Sequence, residues 1–299
     1  MIVKRIINIS TRSYVSLHQG LMSIRNMDTQ TSALVPIREI GSVVFEHPAT
    51  VVTTRLLSEL ASAGTTVLFC GANHMPAGME IPLNSNLNSA TISDYQFNAS
   101  KPLIKRLWKS IIQTKILNQA SVMRFLGHDD AKLLTIVSEV KSNDSTNREA
   151  VAAVEYFSEL IPEGSRWNSD YTAPLNYGYT IERAGIARAV CGAGLVPSKG
   201  IHHHNSLNPM NLCDDLIEPF RPIIDAIVFA NRITAPLDHA AKLELLRVHE
   251  TLVSLDGRRL SCQNAYLDVV NSFVDALANS DATLLKTPRF IGLSTVEVS

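Results

Sequence analysis

Residues 200–222 read Gly-Ile-His-His-His-Asn-Ser-Leu-Asn-Pro-Met-Asn-Leu-Cys-Asp-Asp-Leu-Ile-Glu-Pro-Phe-Arg-Pro. Three histidines precede Asp214, Asp215 and Glu218, whose spacing places the carboxylates near one face if this segment is helical. Carboxylates gathered in a partly apolar segment repel one another unless a cation neutralises them. One imidazole with carboxylate oxygens suits Mn²⁺ or Mg²⁺ better than zinc. The segment therefore indicates a divalent-metal site, although acids in a helix's first turn beside a solvated histidine loop would give the same pattern.

The composition is that of a folded protein too long for one small domain. The chain has 299 residues, of which 45% are hydrophobic and 18% are charged, and its formal net charge is -1. This charge neither supports nor excludes DNA binding, because a neutral total can hide a local basic surface. The four cysteines are widely scattered, as in a reducing compartment, and no apolar run reaches the roughly 18 residues that span a bilayer. We therefore expect a cytoplasmic protein that does not associate with membranes.

The periodicity of apolar residues changes along the chain. Residues 1–90 contain short β-branched or alternating runs between turn residues, which predict a β domain with one helix at Thr50–Ala63. Residues 91–100 are polar and are predicted to be a linker. Residues 101–299 predict a larger all-helical domain that carries the metal site, so the fold class is α+β. Its predicted helices are Pro102–Val122, Asp129–Val140, Arg148–Leu160, Pro174–Cys191, Ile223–Ile233, Lys242–Thr251 and Gln263–Ala278. Asp256-Gly257 is a hairpin signal within Leu252–Leu260. The predicted strands are Met1–Ile9, Ser13–Leu17, Gly20–Ile24, Ala33–Pro36, Ser42–Phe45 and Thr65–Phe69.

A third acid, Glu149, lies at the predicted start of a helix over Arg148–Leu160. The small residues that follow it would allow close helix packing and hold its carboxylate rigidly against a neighbour. An acid in the first turn of a helix also simply complements the helix dipole. Position alone does not decide between these two roles.

Basic residues recur at the start of the predicted helix Pro102–Val122, at Lys101, Lys105, Arg106 and Lys109. Further basic residues of the predicted helices are Lys115, Arg124, Arg183, Arg188 and Arg221. The spacing of the first four forms one stripe that could follow a DNA backbone. A solvated helix face gives the same pattern.

Five motifs follow one another in the C-terminal half. They are Asn147-Arg-Glu-Ala150, Pro174-Leu-Asn-Tyr-Gly-Tyr-Thr-Ile181, Ala193-Gly-Leu-Val-Pro197, Gly200-Ile-His-His203 and Asp214-Asp-Leu-Ile-Glu-Pro-Phe-Arg221. This order resembles that of the CRISPR-associated protein one family of spacer-acquisition integrases, and the last two motifs together resemble the branch of type II systems. The similarity extends into the N-terminal half and covers nearly the full length.

The resemblance implies a set of site residues. Glu149, His203 and Glu218 would bind Mg²⁺ or Mn²⁺, with Asp215 close enough to assist. His203 is chosen over the flanking histidines because it lies fifteen residues before Glu218, which is the family's spacing. As a metal ligand His203 must be neutral, so activity is expected to fall below about pH 6.5. The resemblance also favours DNA contacts for Arg148 and Arg221.

The resemblance further implies an activity and partners. A DNA 3′-hydroxyl would attack a phosphodiester and insert a short foreign duplex into a CRISPR repeat array, and with water as nucleophile the same site would act as an endonuclease. The implied partners are double-stranded DNA, a second copy bound through the β domain, and the smaller CRISPR-associated protein two. Two alternatives remain: a noncatalytic DNA-binding scaffold, and a stand-alone metal-dependent nuclease or branched-DNA resolvase.

Overall fold

A computed structural model describes residues 5–72, 74–80 and 86–295. The chain divides into two compact units between residues 85 and 86. The first is rich in strands and the second is mostly helical, which confirms the predicted α+β class. In the ranges described, no helix combines the length and hydropathy that crossing a bilayer requires.

The first unit contains two four-stranded sheets and one helix. One sheet has the order β1-β5-β7-β8 and the other β4-β3-β2-β6. Their inner faces and the helix share an apolar core that includes Val15, Met22, Ile40 and Leu56, all fully buried. The elements are β1 (Arg5–Ile9), β2 (Ser13–His18), β3 (Leu21–Asn26), β4 (Ser32–Pro36), β5 (Ile40–Phe45), β6 (Val51–Val52), α1 (Thr54–Ser62), β7 (Thr66–Cys70) and β8 (Pro76–Glu80).

All six predicted strands are present, although residues 1–4 of the first lie outside the described residues. The predicted helix at Thr50–Ala63 is too long at its start. Its first residues form β6, which pairs in parallel with Tyr14 and Val15 of β2. Strand β8, which pairs antiparallel with β7, was not predicted. Its sequence Pro-Ala-Gly-Met-Glu carries little strand propensity, so pairing with its neighbour determines its conformation.

The second unit is helical apart from one small sheet. Seven of its helices match predicted segments, and β9 and β10 form the hairpin indicated by Asp256-Gly257. The three-stranded sheet of order β10-β9-β11 corrects the prediction that this part is all-helical. The elements are α2 (Ser89–Phe97), α3 (Lys101–Phe125), α4 (Ala131–Ser138), α5 (Arg148–Leu160), α6 (Thr172–Gly192), α7 (Asn211–Ile217), α8 (Arg221–Ala230), α9 (His239–Leu246), β9 (Thr251–Leu255), β10 (Arg258–Ser261), α10 (Cys262–Ala278) and β11 (Arg289–Thr295).

Helix α2 occupies most of the segment predicted to be a linker. Its Ser/Thr-rich sequence lacks a clear apolar stripe, but Gln96 is buried and anchors it. The Nε2 of Gln96 donates to the carbonyls of Val196 and Lys199 at 3.0 and 2.7 Å, and its Oε1 accepts from the N–H of Val196. The side-chain amide therefore ties α2 to a distant loop, which polarity alone does not reveal.

Helix α3 provides the support on which the site is built. It runs for 25 residues and packs against α4, α5 and α8. The Nδ2 of buried Asn118 donates to the carbonyls of Pro219 and Pro288, at 2.7 and 3.1 Å. The bond to Pro219 attaches the turn between α7 and α8 to the middle of α3, next to Glu218, and the bond to Pro288 attaches the residue before β11 to the same point.

Candidate active site

Glu149 is the second residue of α5, and a buried acid fixes the start of that helix. The backbone N–H groups of Arg148 and Glu149 donate to the two carboxylate oxygens of Asp144, at 2.8 and 2.9 Å. Asn147 takes a left-handed conformation with φ of 52° to enter the helix. These bonds satisfy two of the free N–H groups of the first turn. Asp144 therefore already supplies the negative charge that complements the dipole of α5, which was one of the two roles considered for Glu149.

Glu218 lies directly after α7, where Pro219 follows it, and is buried. The Nε of Arg221 lies 3.0 Å from its Oε1. Arg221 also stands over the ring of Tyr179, 4.9 Å from the centroid. The Arg221 side chain is therefore held between an acid and an aromatic face.

The two glutamates meet at a single cation, the ammonium group of Lys115. Its Nζ lies 2.5 Å from Oε1 of Glu149 and 2.5 Å from Oε2 of Glu218. Lys115 belongs to α3, so three elements converge on one point. The carboxylates repel each other less because a positive charge lies between them.

The charges of this group stabilise one another. Burial lowers the pKa of Lys115, but Glu218 and Glu149 more than offset that effect, and the pKa lies above its ordinary value. Burial raises the pKa of Glu218, but Arg221 and Lys115 outweigh it, and the pKa lies below its ordinary value. The lysine is therefore protonated and Glu218 ionised at neutral pH.

The loop that carries His203 is organised by Asp215, which is fully buried on α7. Oδ2 of Asp215 accepts from the N–H groups of Ile201 and His202, at 2.6 and 3.1 Å. Oδ1 accepts from the N–H of His203 at 3.0 Å and lies 2.7 Å from its ring Nδ1. A side chain at Gly200 would overlap the His203 carbonyl oxygen and this carboxylate.

These bonds set the state of the His203 ring. The carboxylate only accepts, so Nδ1 carries a proton and Nε2 holds the free lone pair of the neutral ring. The bond to Asp215 raises the pKa of His203 above its ordinary value, against the opposing effect of burial, and the charge of nearby Glu218 acts in the same direction as the bond. Asp215 thus orients His203, and its oxygens are engaged by the loop rather than facing the lysine.

The neighbouring predicted residues have other partners. The ring of His202 stacks on fully buried Trp108, with centroids 4.1 Å apart. Asp214 pairs with Arg183 at 2.7 Å, and Arg148 pairs with Glu139 at 3.0 Å. His203 differs from His202 in that its ring, and not only its backbone N–H, is bonded to the carboxylate of Asp215.

The three lysines of the basic stripe lie on the first turns of α3. Lys101 and Lys105 are exposed and Lys109 is half-buried. At a rise of about 1.5 Å per residue they stand about 9–21 Å along the helix axis from Lys115. They flank the site rather than form it.

The donor types at the meeting point suit a hard divalent cation. Two carboxylates converge, and an imidazole whose Nδ1 is held by a carboxylate is the usual form of a metal-binding histidine. The set of metal ligands is nevertheless incomplete. In the described ranges, no group of three or more His, Cys, Asp or Glu side chains is arranged to hold a metal ion. Lys115 holds the point where the two glutamates meet, so a metal bound there requires its ammonium group to move.

Sequence reasoning did not assign Lys115, Asp144 or Trp108 to the site. A signal for Lys115 was present, because it follows Ile111 and Ile112 at helical spacing on the apolar face of α3. A lysine on such a face requires an anionic partner. The identity of that partner depends on tertiary packing.

Comparison with known proteins relates most of the chain to one family. The family model of CRISPR associated protein Cas1 matches residues 7–241. The chain is 37% identical over 270 residues to the CRISPR-associated endonuclease Cas1 of Neisseria meningitidis serogroup C (strain 8013), which covers 88% of this chain and 89% of that protein.

Two solved structures have a similar fold. A casposase bound to integration product gives a TM-score of 0.76 at 17% identity, over 94% of this chain and 93% of that one. A chain of a Cas6-RT-Cas1–Cas2 complex gives a TM-score of 0.71 at 14% identity, over 99% of this chain and 36% of that one. The match to the family model and the similarity to the Neisseria protein each cover most of the sequence, and we conclude that the chain belongs to the CRISPR associated protein Cas1 family.

Proposed function

We propose that this chain is a divalent-metal-dependent DNA endonuclease and integrase that inserts short foreign duplexes into a CRISPR repeat array. The observation that carries the proposal is the convergence of Glu149 and Glu218 on one cationic point, beside a histidine oriented by Asp215. The Neisseria relative is named an endonuclease, and the casposase structure contains an integration product. Both names support chemistry on DNA phosphodiesters.

The reaction is a transesterification. The oxygen of a DNA 3′-hydroxyl forms a bond to a phosphorus of the repeat, the bond from that phosphorus to its 3′ oxygen breaks, and the proton of the attacking hydroxyl passes to the departing oxygen. One phosphodiester replaces another, so no external energy source is needed. With water as the nucleophile the same bonds break and the result is cleavage.

The residues of the site have separate roles in this proposal. Glu149, Glu218 and the neutral imidazole of His203 would hold Mg²⁺ or Mn²⁺, which would supply Lewis-acid stabilisation of the phosphate charge when bound. Asp215 is a positioning residue that keeps Nδ1 of His203 protonated and its ring fixed. Arg221 adds positive charge next to the phosphate, where charge develops in the transition state.

The assembly is also part of the proposal. The partners are double-stranded DNA, a second copy bound through the strand-rich unit, and the smaller protein Cas2, which occurs with Cas1 in the name of one structurally similar complex. Light scattering of the purified chain should give the mass of a dimer. A monomer at all accessible concentrations would contradict the proposed dimerisation.

A strand-joining assay tests the activity. A labelled duplex with free 3′-hydroxyls is incubated with a plasmid carrying a repeat, Mn²⁺ and Cas2, using wild type, Glu149→Gln, His203→Ala and Glu218→Gln. Joining should require Mn²⁺ and fall at least about 100-fold in each variant, as when a transition-state contact is lost. Exposed Glu159→Gln serves as the matched control and should behave as wild type.

One observation also favours the noncatalytic scaffold. Lys115 already neutralises both glutamates, so the fold does not require a metal there. The scaffold predicts DNA binding with no metal-dependent joining or cleavage, and unchanged binding in the glutamine variants. Cleavage without joining, with Cas2 and a matched repeat present, would instead support the stand-alone nuclease.

A further inference from the structure

Trp108 is a fully buried aromatic residue of α3 that contacts the loop carrying His203. The ring of His202 lies parallel to the indole, with the centroids 4.1 Å apart and an angle of 3° between the planes. The ring of His203 meets the same indole edge-on, at 6.0 Å and 89°. An edge-on pair at this separation lies in the range of about 4.5–7 Å that aromatic rings favour. Two successive residues of the loop are therefore packed against one side chain.

The two histidine rings also contact each other. Their centroids are 5.7 Å apart and their planes are at 88°. Trp108, His202 and His203 thus form a ring cluster in which each ring contacts the other two. His202 is exposed, whereas Trp108 is fully buried in the close-packed second unit. Trp108 is therefore the fixed member of the ring cluster.

The bond to Asp215 does not fix the His203 ring by itself. The hydrogen bond holds one ring atom, Nδ1, at 2.7 Å from the carboxylate and leaves the tilt of the ring plane free. The side chain of His203 is 41% exposed, so much of the ring is not enclosed. The edge-on contacts to Trp108 and His202 restrict the tilt that the hydrogen bond leaves open.

Trp108 also relates the His203 ring to the two glutamates. It lies seven residues before Lys115 on α3, which is about two turns, so both side chains lie on one face of the helix about 10 Å apart along its axis. The ammonium group of Lys115 lies 2.5 Å from both Glu149 and Glu218. A single helix therefore sets how far His203 lies from the point where the carboxylates meet.

From these contacts we infer that Trp108 is a positioning residue. With His202, it holds the His203 ring in the orientation that binds a divalent ion together with Glu149 and Glu218. This inference rests on the proposed function, because it concerns the metal site of that reaction. The flat ring carries the role, since Nε1 of Trp108 has no hydrogen-bond partner among the residues that the structure describes. Phenylalanine can therefore replace the indole without loss of a hydrogen bond, and leucine cannot supply the flat surface.

The test is the affinity for Mn²⁺ without DNA, measured from the electron paramagnetic resonance signal of the free ion. Trp108→Leu should weaken Mn²⁺ binding at least about tenfold, as the loss of a residue that supports a metal ligand does. Trp108→Phe should bind Mn²⁺ almost as wild type does. His202→Ala removes one of the two edge-on contacts and should give an intermediate loss.

Two variants are matched controls. Phe273→Leu truncates a fully buried aromatic residue of α10, so it should lower stability in urea and leave Mn²⁺ affinity unchanged. His204→Ala changes the exposed histidine next to His203 and should also bind as wild type. If Trp108→Leu fails to fold, His202→Ala still tests the inference, because it changes an exposed position.

A second readout needs no metal. In nuclear magnetic resonance spectra of protein with ¹⁵N-labelled histidine, the ring protons of His202 should be shifted to higher field by the parallel indole. The Nδ1–H of His203, bonded to Asp215, should give a sharp signal. Trp108→Leu should remove the shift and broaden the His203 signal, and Trp108→Phe should retain both features.

Three results would overturn the inference. Equal Mn²⁺ affinity in wild type and a folded Trp108→Leu would remove the role of Trp108 and leave the proposed metal site intact. Equal losses in Trp108→Leu and Phe273→Leu would show a general effect of a weakened core. Wild type that binds no Mn²⁺ would remove the proposed metal site instead, and a His203 signal unchanged in Trp108→Leu would then overturn the inference as well.

Discussion

At the scale of single residues, Lys115 determines how the two glutamates are stabilised without metal. Lys115→Met keeps the volume and removes the charge. The buried carboxylate of Glu218 and the partly buried carboxylate of Glu149 then face each other with Arg221 as the nearby cation. Removing one partner of a buried ion pair costs about 3 kcal/mol or more. We expect that loss in the unfolding free energy measured with a chelator. In the proposed site Mn²⁺ would take the place of the ammonium group, so Mn²⁺ should stabilise the variant more than wild type.

Lys105→Met, on the exposed face of the same helix, should change stability little with or without Mn²⁺. If Mn²⁺ stabilises Lys115→Met no more than wild type, the ammonium group and the metal do not share a position.

Gly200 is needed for the loop that carries His203. A methyl group there would overlap the His203 carbonyl oxygen and lie 2.7 Å from the Asp215 carboxylate. Gly200→Ala should cost about 1–3 kcal/mol in unfolding free energy, as overpacking does, and reduce joining by displacing His203. Gly192→Ala is the matched control: an added Cβ there meets nothing within 4 Å, at the end of a helix where alanine is tolerated. Normal joining by Gly200→Ala would show that the loop adapts.

The sequence allowed the roles of some site residues to be predicted and gave no indication of others. Glu149, His203 and Glu218 could be chosen because their residue types and order resemble a family pattern. The orienting role of Asp215 could not, since it consists of four contacts to a loop that the sequence does not fold by itself. Lys115 was counted among ordinary basic residues because its two partners lie 34 and 103 positions away.

At the scale of elements, helices with a regular apolar stripe were predicted most accurately. Helix α5 has the predicted ends, Arg148–Leu160. Elements whose stability comes from pairing were missed or misplaced, as with β8 and the start of α1. Strand β11 follows Lys286, where the short tail gives little periodic signal, and is held by pairing with β9. In these cases the neighbour determines the conformation and local propensity does not.

The contact between α6 and α8 gives the protein a pH-dependent stability. The hydroxyl of Tyr179 on α6 donates to Asp225 on α8. Burial raises the pKa of Asp225 to about 6, although Tyr179 and Arg166 oppose it. The folded state therefore binds a proton between about pH 4 and pH 6 that the unfolded state, with a pKa of about 3.9, has released. Stability falls as pH rises through this window, by about 3 kcal/mol from this group.

Asp225→Asn should remove that contribution. Unfolding free energies from urea titrations at several pH values should show the variant gaining on wild type as pH rises from about 4 to about 6. Asp256→Asn, at a mostly exposed position, serves as the control and should show no such trend. A constant difference between Asp225→Asn and wild type across this range would mean that Asp225 is not a protonated group of the folded state.

At the scale of the whole molecule, the basic stripe on α3 extends the positive surface away from the site. Lys101, Lys105 and Lys109 are four residues apart and share one helix face. If each contacts a phosphate, changing all three to Glu should weaken binding of every duplex alike and lower the salt-dependence slope by up to about 3. The control has the same charge change elsewhere in the second unit, at Arg258, Arg259 and Lys286. An unchanged slope in the stripe variant would mean that the stripe is only a solvated face.

The division into a strand-rich and a helical part could be predicted from the change in the spacing of apolar residues along the chain. The boundary between the two parts could not. Polar composition suggested a linker at residues 91–100, but Gln96 makes α2 part of the second unit. A compact unit is defined by such long-range hydrogen bonds, and these cannot be predicted from the composition of a segment.

We propose that Glu149, Glu218 and His203 hold one divalent metal ion in the position that the Lys115 ammonium group occupies. Crystals soaked in Mn²⁺, with anomalous difference maps collected near the manganese edge, test it most directly. The account predicts a peak between the two glutamates, within bonding distance of Nε2 of His203, with the Lys115 side chain displaced. A Lys115 ammonium group that stays between the glutamates at saturating Mn²⁺, with no anomalous peak beside it, would contradict the account.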